Sequence, residues 1–236
     1  MAFPKVDYPL TTIVLGDVKR KFRPMLVREE KILLTARQTE NQNDIFTAIR
    51  QVVNNCCVDD DFDVDVLPIY LLEWAFLNLR ISSIGNTVEL AYRDSEDELE
   101  YKFNIALDDI KIIHPKDAPS PTIEVTGDLI VQMRFPPASL YANEDFVRSE
   151  DPGQYFEELL LASVDSVYDG DEVFSTKDAS RKELVDFVES LDSQTYRKMQ
   201  DFLASVPHME HVIEYKNKKG TERKIVLRTL NDFFML

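Results

Sequence analysis

The chain has 236 residues, 44% of them hydrophobic and 30% charged, the mix of a folded protein with a sizeable core rather than of a chain disordered throughout. Lys+Arg 27 against Asp+Glu 43 gives a formal net charge of −16, which disfavours general nucleic-acid binding and adsorption to an anionic membrane surface. No apolar run approaches the roughly 20 residues needed to cross a bilayer, and six glycines exclude a collagen-like repeat.

In chain order, MAFPKVDYPL lacks a basic segment followed by an apolar one, so no export signal is expected. Leu10 to Arg23 reads as a β-hairpin turning at Gly16-Asp17, and Pro24 ends it. Val27 to Gln38 has a helical rhythm, with Val27, Ile32, Leu33, Leu34 and Ala36 broadly on one side. Asn43 or Asp44 caps a second helix to about Asn54, with Ile45, Ala48, Ile49, Val52 and Val53 inward. Cys56 and Cys57 are adjacent, a spacing that rarely reaches disulfide geometry, so buried thiols and a reducing intracellular compartment are expected. The acidic stretch Asp59, Asp60, Asp61, Asp63 and Asp65 follows. Read as a calcium loop it lacks Gly at the sixth position and Glu at the twelfth in either register, which leaves a solvated helix-entry segment. Tyr70 to Ile81 is apolar nearly all round, the mark of a central helix, with Trp74 and Phe76 in its core.

Thr87 to Tyr92 and Tyr101 to Leu107 read as strands around an acidic turn, and Asp108 to Ile113 trails off them. Pro115, Pro119 and Pro121 mark a connector. It divides an N-terminal lobe, 1–114, carrying the acidic hairpin, from a C-terminal lobe, 115–236, carrying helices and a basic terminal hairpin. Thr122 to Phe135 forms another hairpin around Gly127-Asp128, and Tyr141 to Pro152 a polar loop. Gln154 to Tyr168 is expected as one helix, followed by a turn at Asp169-Gly170-Asp171. Ser180 and Glu183 form a capping box for a helix through Leu191. Ser193 caps another, ended by Pro207. Glu210 to Leu236 is hairpin-like around Lys218-Lys219-Gly220. The fold class is therefore α+β: helical layers with three or four small antiparallel hairpins.

Two segments echo each other: Val88 to Ile112 and His211 to Phe234. Each has a strand ending in Tyr (Tyr92, Tyr215), a charged turn, a return strand and a spaced apolar triplet, Ile105, Leu107, Ile110 against Ile225, Leu227, Leu230. Duplication of a helix-plus-hairpin unit and shared hairpin grammar both account for this. The turns carry opposite charge. Asp94, Glu96, Asp97 and Glu98 crowd the first, and Lys216, Lys218, Lys219, Arg223 and Lys224 the second. Such turns are either solvated or complementary docking surfaces, within the chain or between neighbours. The apolar terminus, with Phe233 and Phe234, needs burial in the chain's own core or on a partner. These residues are the candidate partner-binding sites.

Signatures of catalysis are sparse. The chain has no GxGxxG, no phosphate-binding loop, no HExxH and no GxSxG. His208 and His211 with Glu210 and Glu214 lack a matching ligand spacing for a metal. No catalytic residue, metal site or cofactor is expected, and an enzyme is the disfavoured alternative.

Several stretches together carry a resemblance: KFRPMLVREEKILL (Lys21 to Leu34), AIRQVVNNC (Ala48 to Cys56), DVDVLPIYLLEWAFLNLRISSIGNTVEL (Asp63 to Leu90), VDSVYDGDEVF (Val164 to Phe174) leading into ELVDFVESL (Glu183 to Leu191), and the terminal VIEYKNKKGTERKIVLRTLNDFF. In this order, over most of the chain, they resemble the baseplate hub proteins of T-even-type contractile-tailed bacteriophages. Some relatives carry cysteine pairs in the two hairpin turns, as zinc ribbons do. RDSEDE and KNKKGT have none, so zinc is not carried over. The resemblance implies a non-enzymatic part in tail morphogenesis, through docking to other hub proteins, the tape-measure protein or a second copy. The protein is then either a structural subunit of the tail baseplate or a chaperone that works in the host cytoplasm and leaves.

Overall fold

The computed structural model describes residues 6–39, 41–143, 146 and 151–234. In chain order the elements are β1 (Thr11–Leu15), β2 (Val18–Phe22), α1 (Val27–Gln38), α2 (Gln42–Cys56), α3 (Ile69–Ser83), β3 (Thr87–Arg93), β4 (Glu100–Ala106), β5 (Lys111–Ile113), β6 (Thr122–Thr126), β7 (Leu129–Met133), α4 (Pro152–Ala162), β8 (Val164–Asp169), β9 (Glu172–Ser175), α5 (Arg181–Glu189), α6 (Ser193–Ala204), β10 (His208–Lys216), β11 (Glu222–Leu227) and α7 (Leu230–Phe234). The class is α+β, with all strands in small antiparallel sheets. Among the described residues no helix is long and apolar enough to cross a membrane. Parts of the loop read over 141–152 (144, 145 and 147–150) lie outside the described residues, as do 1–5 and the terminal Met235 and Leu236.

The chain forms two compact units. One comprises Met1–Val64, Tyr70–Ile113 and His208–Leu236. Its centre is α3, whose Leu72, Ala75, Leu77 and Leu79 are fully buried, as an all-apolar helix requires. Phe76 is buried too, whereas Trp74 is only half-buried. The expected stripe of α2 (Ile45, Ala48, Ile49, Val52 and Val53) is inward. Its cap is Asn41, rather than the expected Asn43 or Asp44, accepting from the Asn43 N–H at 2.9 Å. In α1, by contrast, Val27 and Leu34 face solvent and the buried positions are Glu29 and Ala36.

Glu29 explains that inversion. Its carboxylate, without solvent exposure, accepts from the Leu26 backbone N–H at 2.9 Å and pairs with Arg23 at 2.9 Å and Arg28 at 2.7 Å. Burial alone would raise its pKa. The Arg23, Leu26 and Arg28 donors overcome it and hold the group at about 2. Cys56 lies beside Arg23 with no exposure, and burial pushes its thiol up to about 11, an inert thiol rather than a reactive one. The acidic stretch is tied to β2: Asp59 accepts from the Lys21 N–H at 3.0 Å, Asp61 pairs with Arg20, and Phe62 packs edge-on against Phe22.

The other unit comprises Asp65–Ile69 and His114–Pro207. Its sheet runs β6-β7-β8-β9, with Ile123, Val131, Val164 and Val167 packing on Leu160, Met199 and Phe202. Here the structure departs from the sequence expectation. The helix expected over 154–168 ends at Ala162, where the Ser163 N–H donates to the Leu160 carbonyl at 3.0 Å. The next residues form β8, paired with β7 through Val131↔Val167, and the hairpin continues into β9. β-branched Val164 and Val167 fit a pleated, buried strand better than a fourth helical turn. Asp192, not Ser193, caps α6 by accepting from the Gln194 and Thr195 N–H groups at 2.7 and 2.9 Å. The terminal hairpin closes at Leu227, and 230–234 are helical.

Candidate docking site: two interlocked hairpin turns

Within the first unit, β3–β4 and β10–β11 are antiparallel hairpins whose alternate residues share a face. On the first, the pairs Leu90↔Phe103 and Tyr92↔Tyr101 lie together. On the second, Tyr215↔Arg223 and Ile213↔Ile225 do. These faces meet through Tyr215, whose ring lies 4.9 Å from that of Tyr101, 5.2 Å from Phe103 and 6.3 Å from Tyr92, in tilted and edge-on geometries suited to aromatic quadrupoles. The two tyrosines of the internal echo therefore touch.

Two residues after each tyrosine stands a buried polar group, Asp94 and Asn217. Each organises its own turn. Asp94 accepts from the Glu96 and Asp97 N–H groups at 2.7 and 3.3 Å, and Asn217 from those of Lys219 and Thr221 at 3.1 and 2.9 Å. Each turn also needs one left-handed residue: Glu98 at φ 60° in the first, Gly220 at φ 87° in the second.

Asp94 also reaches across. Arg223 grips its carboxylate with two nitrogens, at 3.0 and 3.2 Å, and the Tyr215 hydroxyl donates to the same oxygen as Arg223 Nε. These donors, Arg223 first, hold Asp94 far below the usual carboxylate range, and Arg223 is raised in turn. Burial and the bond to Asp94 push Tyr215 up to about 12. Around this centre the Asn217 amide donates to Glu96 at 2.7 Å and Lys219 Nζ to the Glu96 carbonyl at 2.5 Å. The Lys218 N–H donates to the Tyr101 hydroxyl at 2.7 Å and to Asp97 at 3.1 Å.

The oppositely charged turns thus bind each other inside one chain. Asp94, a candidate for facing a partner, is turned inward with its donors. Glu96, Asp97, Lys219 and Arg223 are engaged across the clasp. Glu98, Lys216, Lys218 and Lys224 have exposed side chains, with Lys216 opposite Glu222 and Lys224 opposite Glu214. Phe233 is also turned inward, without exposure, in the core of its unit. Phe234 is half-buried, edge-on to Phe76 at 6.1 Å and 5.9 Å from the Arg80 guanidinium carbon. Beside α7, burial pushes Glu73 up to about 7, against the pull of a hydrogen bond from the Leu230 backbone and with a further push from Asp232.

The charge reading alone did not single out Tyr101, Tyr215, Asn217 and Thr221. A signal for part of the set was present: Tyr92-Arg93-Asp94 and Tyr215-Lys216-Asn217 repeat aromatic, basic, Asp/Asn. Among the described residues no group of three or more His, Cys, Asp or Glu is placed to hold a metal ion.

The molecule is thus of a definable class, a two-unit α+β protein whose first unit is closed by a pair of clasped hairpins. It belongs to a known family: the family model described as T4 bacteriophage base plate protein matches residues 5–235. No curated protein and no solved structure matches the chain.

Proposed function

We propose that this protein is a non-enzymatic component of the central hub of a phage tail baseplate, acting by docking to neighbouring hub or tape-measure proteins. The observation that carries this reading is the family match over nearly the whole chain. The clasp supports it: its central charged and aromatic groups, Asp94, Arg223 and Tyr215, are engaged with one another rather than turned toward a reactive cleft. The exposed side chains of Lys216 and Lys224, on the face of the second hairpin opposite Tyr215, and of Lys218, in its turn, can orient a partner.

The deciding experiment is a quantitative census of the protein in purified tails and in early baseplate intermediates. A fixed copy number in both supports a resident subunit, and the reading fails if the protein is missing from both. Presence in intermediates alone replaces the resident subunit with a chaperone. In the same system, neutralising Lys216, Lys218 and Lys224 to Gln, which sets no like charges opposite Glu222 and Glu214, is expected to weaken incorporation in a salt-dependent way.

A further inference from the structure

The β8–β9 hairpin and α5 lie in the second unit and take no part in the clasp. The sheet's inner face is covered as far as Val131 and Val167, both buried. At β9 the cover ends. Phe174 pairs with Val167 in register and so lies on the same face, yet it is 53% exposed. Between it and α5 opens a groove of about 530 Å³, walled by Leu129, Phe174, Leu184 and Phe187. That volume suits a few large side chains. Three carboxylates, Asp169, Asp178 and Glu183, also line it, and among the described residues no lysine or arginine does. Ser180, donating from its N–H at 2.8 Å and its hydroxyl at 2.7 Å, holds Glu183 below the ordinary carboxylate range and therefore ionised near neutrality.

A single exposed phenylalanine is unremarkable. One lining an apolar groove whose charged lining residues, Asp169, Asp178 and Glu183, are all of one sign specifies its occupant. The apolar lining selects large apolar side chains, and the carboxylates select cations beside them. A second copy is a poor occupant, because its net charge of −16 opposes these carboxylates.

We propose that this groove docks a segment of another protein in which large apolar residues are flanked by lysine or arginine. The inference stands on the groove and does not need the hub reading.

The test uses the full chain and a fluorescent peptide of alternating lysine and phenylalanine or leucine, with a glutamate counterpart as control. The lysine peptide is expected to bind and the glutamate peptide not to. Phe174→Ser, on an exposed side chain and checked for folding by circular dichroism, should weaken binding about tenfold or more. Asp169→Asn with Asp178→Asn should weaken it and flatten its salt dependence. Failure of the lysine peptide to bind overturns the proposal. So does equal binding to the Phe174→Ser protein, which would mean diffuse attraction to an acidic chain.

Discussion

The acidic and the basic hairpin turns solve one folding problem with opposite charges. Each follows a tyrosine by two residues, seats a buried Asx side chain that gathers its own backbone N–H groups, and bends through one left-handed residue. They differ in what the Asx group does next. Asp94, an anion, recruits Arg223 and Tyr215 from the other hairpin, while Asn217, neutral, donates to Glu96. They differ again at the bend, glycine in one and glutamate in the other. Past the return strands the likeness continues, with Leu107 and Ile110 buried as Leu227 and Leu230 are. Only the second arm runs on into α7 and Phe233. The lesson is that a similar backbone frame carries two charge patterns, and that the charges are used mainly between the arms.

The largest expected break is in the arm-specific addition. Phe233→Ala empties a site with no exposure and should cost about 3–5 kcal/mol in urea unfolding, against roughly 0.5 kcal/mol or less for the exposed Phe174→Ser. Next comes the centre of the clasp. Asp94→Asn removes the charge that Arg223 and Tyr215 were placed to meet, so the Tyr215 pKa should fall from about 12 toward its ordinary 10, read by NMR of labelled tyrosine rings.

A second buried carboxylate–arginine pair, Glu29 with Arg23, sharpens the comparison by pH. Glu29 titrates near 2 in the folded chain and near 4.5 when unfolded, so its contribution is complete above 4.5 and lost as pH falls toward 2. Glu29→Gln should flatten acid unfolding in that window. Asp94→Asn should flatten the lower part of that window and the range below it, because unfolded Asp94 takes up its proton near 3.8 while the folded one holds its charge to lower pH. Glu73 runs the other way. Raised to about 7, it makes the fold lose stability as pH rises from 4.5 toward 7, and Glu73→Gln should remove that slope.

The smallest effects lie at the bends. Gly220→Ala forces a side chain into φ 87° and should cost about 1–2 kcal/mol. Glu98→Gly relieves the same conformation in the other turn and should gain up to about 1 kcal/mol, after the added freedom of the unfolded chain is offset. Equal costs at both bends would erase the distinction.

Local chemistry made much of this legible. Gly16-Asp17, Gly127-Asp128 and Lys219-Gly220 mark real turns, the α2 stripe is real, and the Ser180–Glu183 capping box forms. What failed depended on distant partners. Leu159, Leu160, Val164 and Val167 suit either period, and only pairing with β7 makes the last two a strand. Val27 and Leu34 looked inward until Glu29, an acid, proved to be the buried side of α1. At the candidate site the opposite charges were plain in the sequence. That they meet was not, since about 120 residues separate Asp94 from Tyr215, which are brought together by packing rather than by pattern.

The clasp itself is tested most directly by native-state amide hydrogen exchange at Lys218. Its N–H sits in an exposed turn, and both of its hydrogen-bond acceptors, the Tyr101 hydroxyl and Asp97, belong to the other hairpin. Strong protection in the native chain, lost in Tyr101→Phe together with Asp97→Ala, is the predicted result. Exchange at the rate of a free loop in the native chain would mean that the two turns do not engage, and would contradict the account.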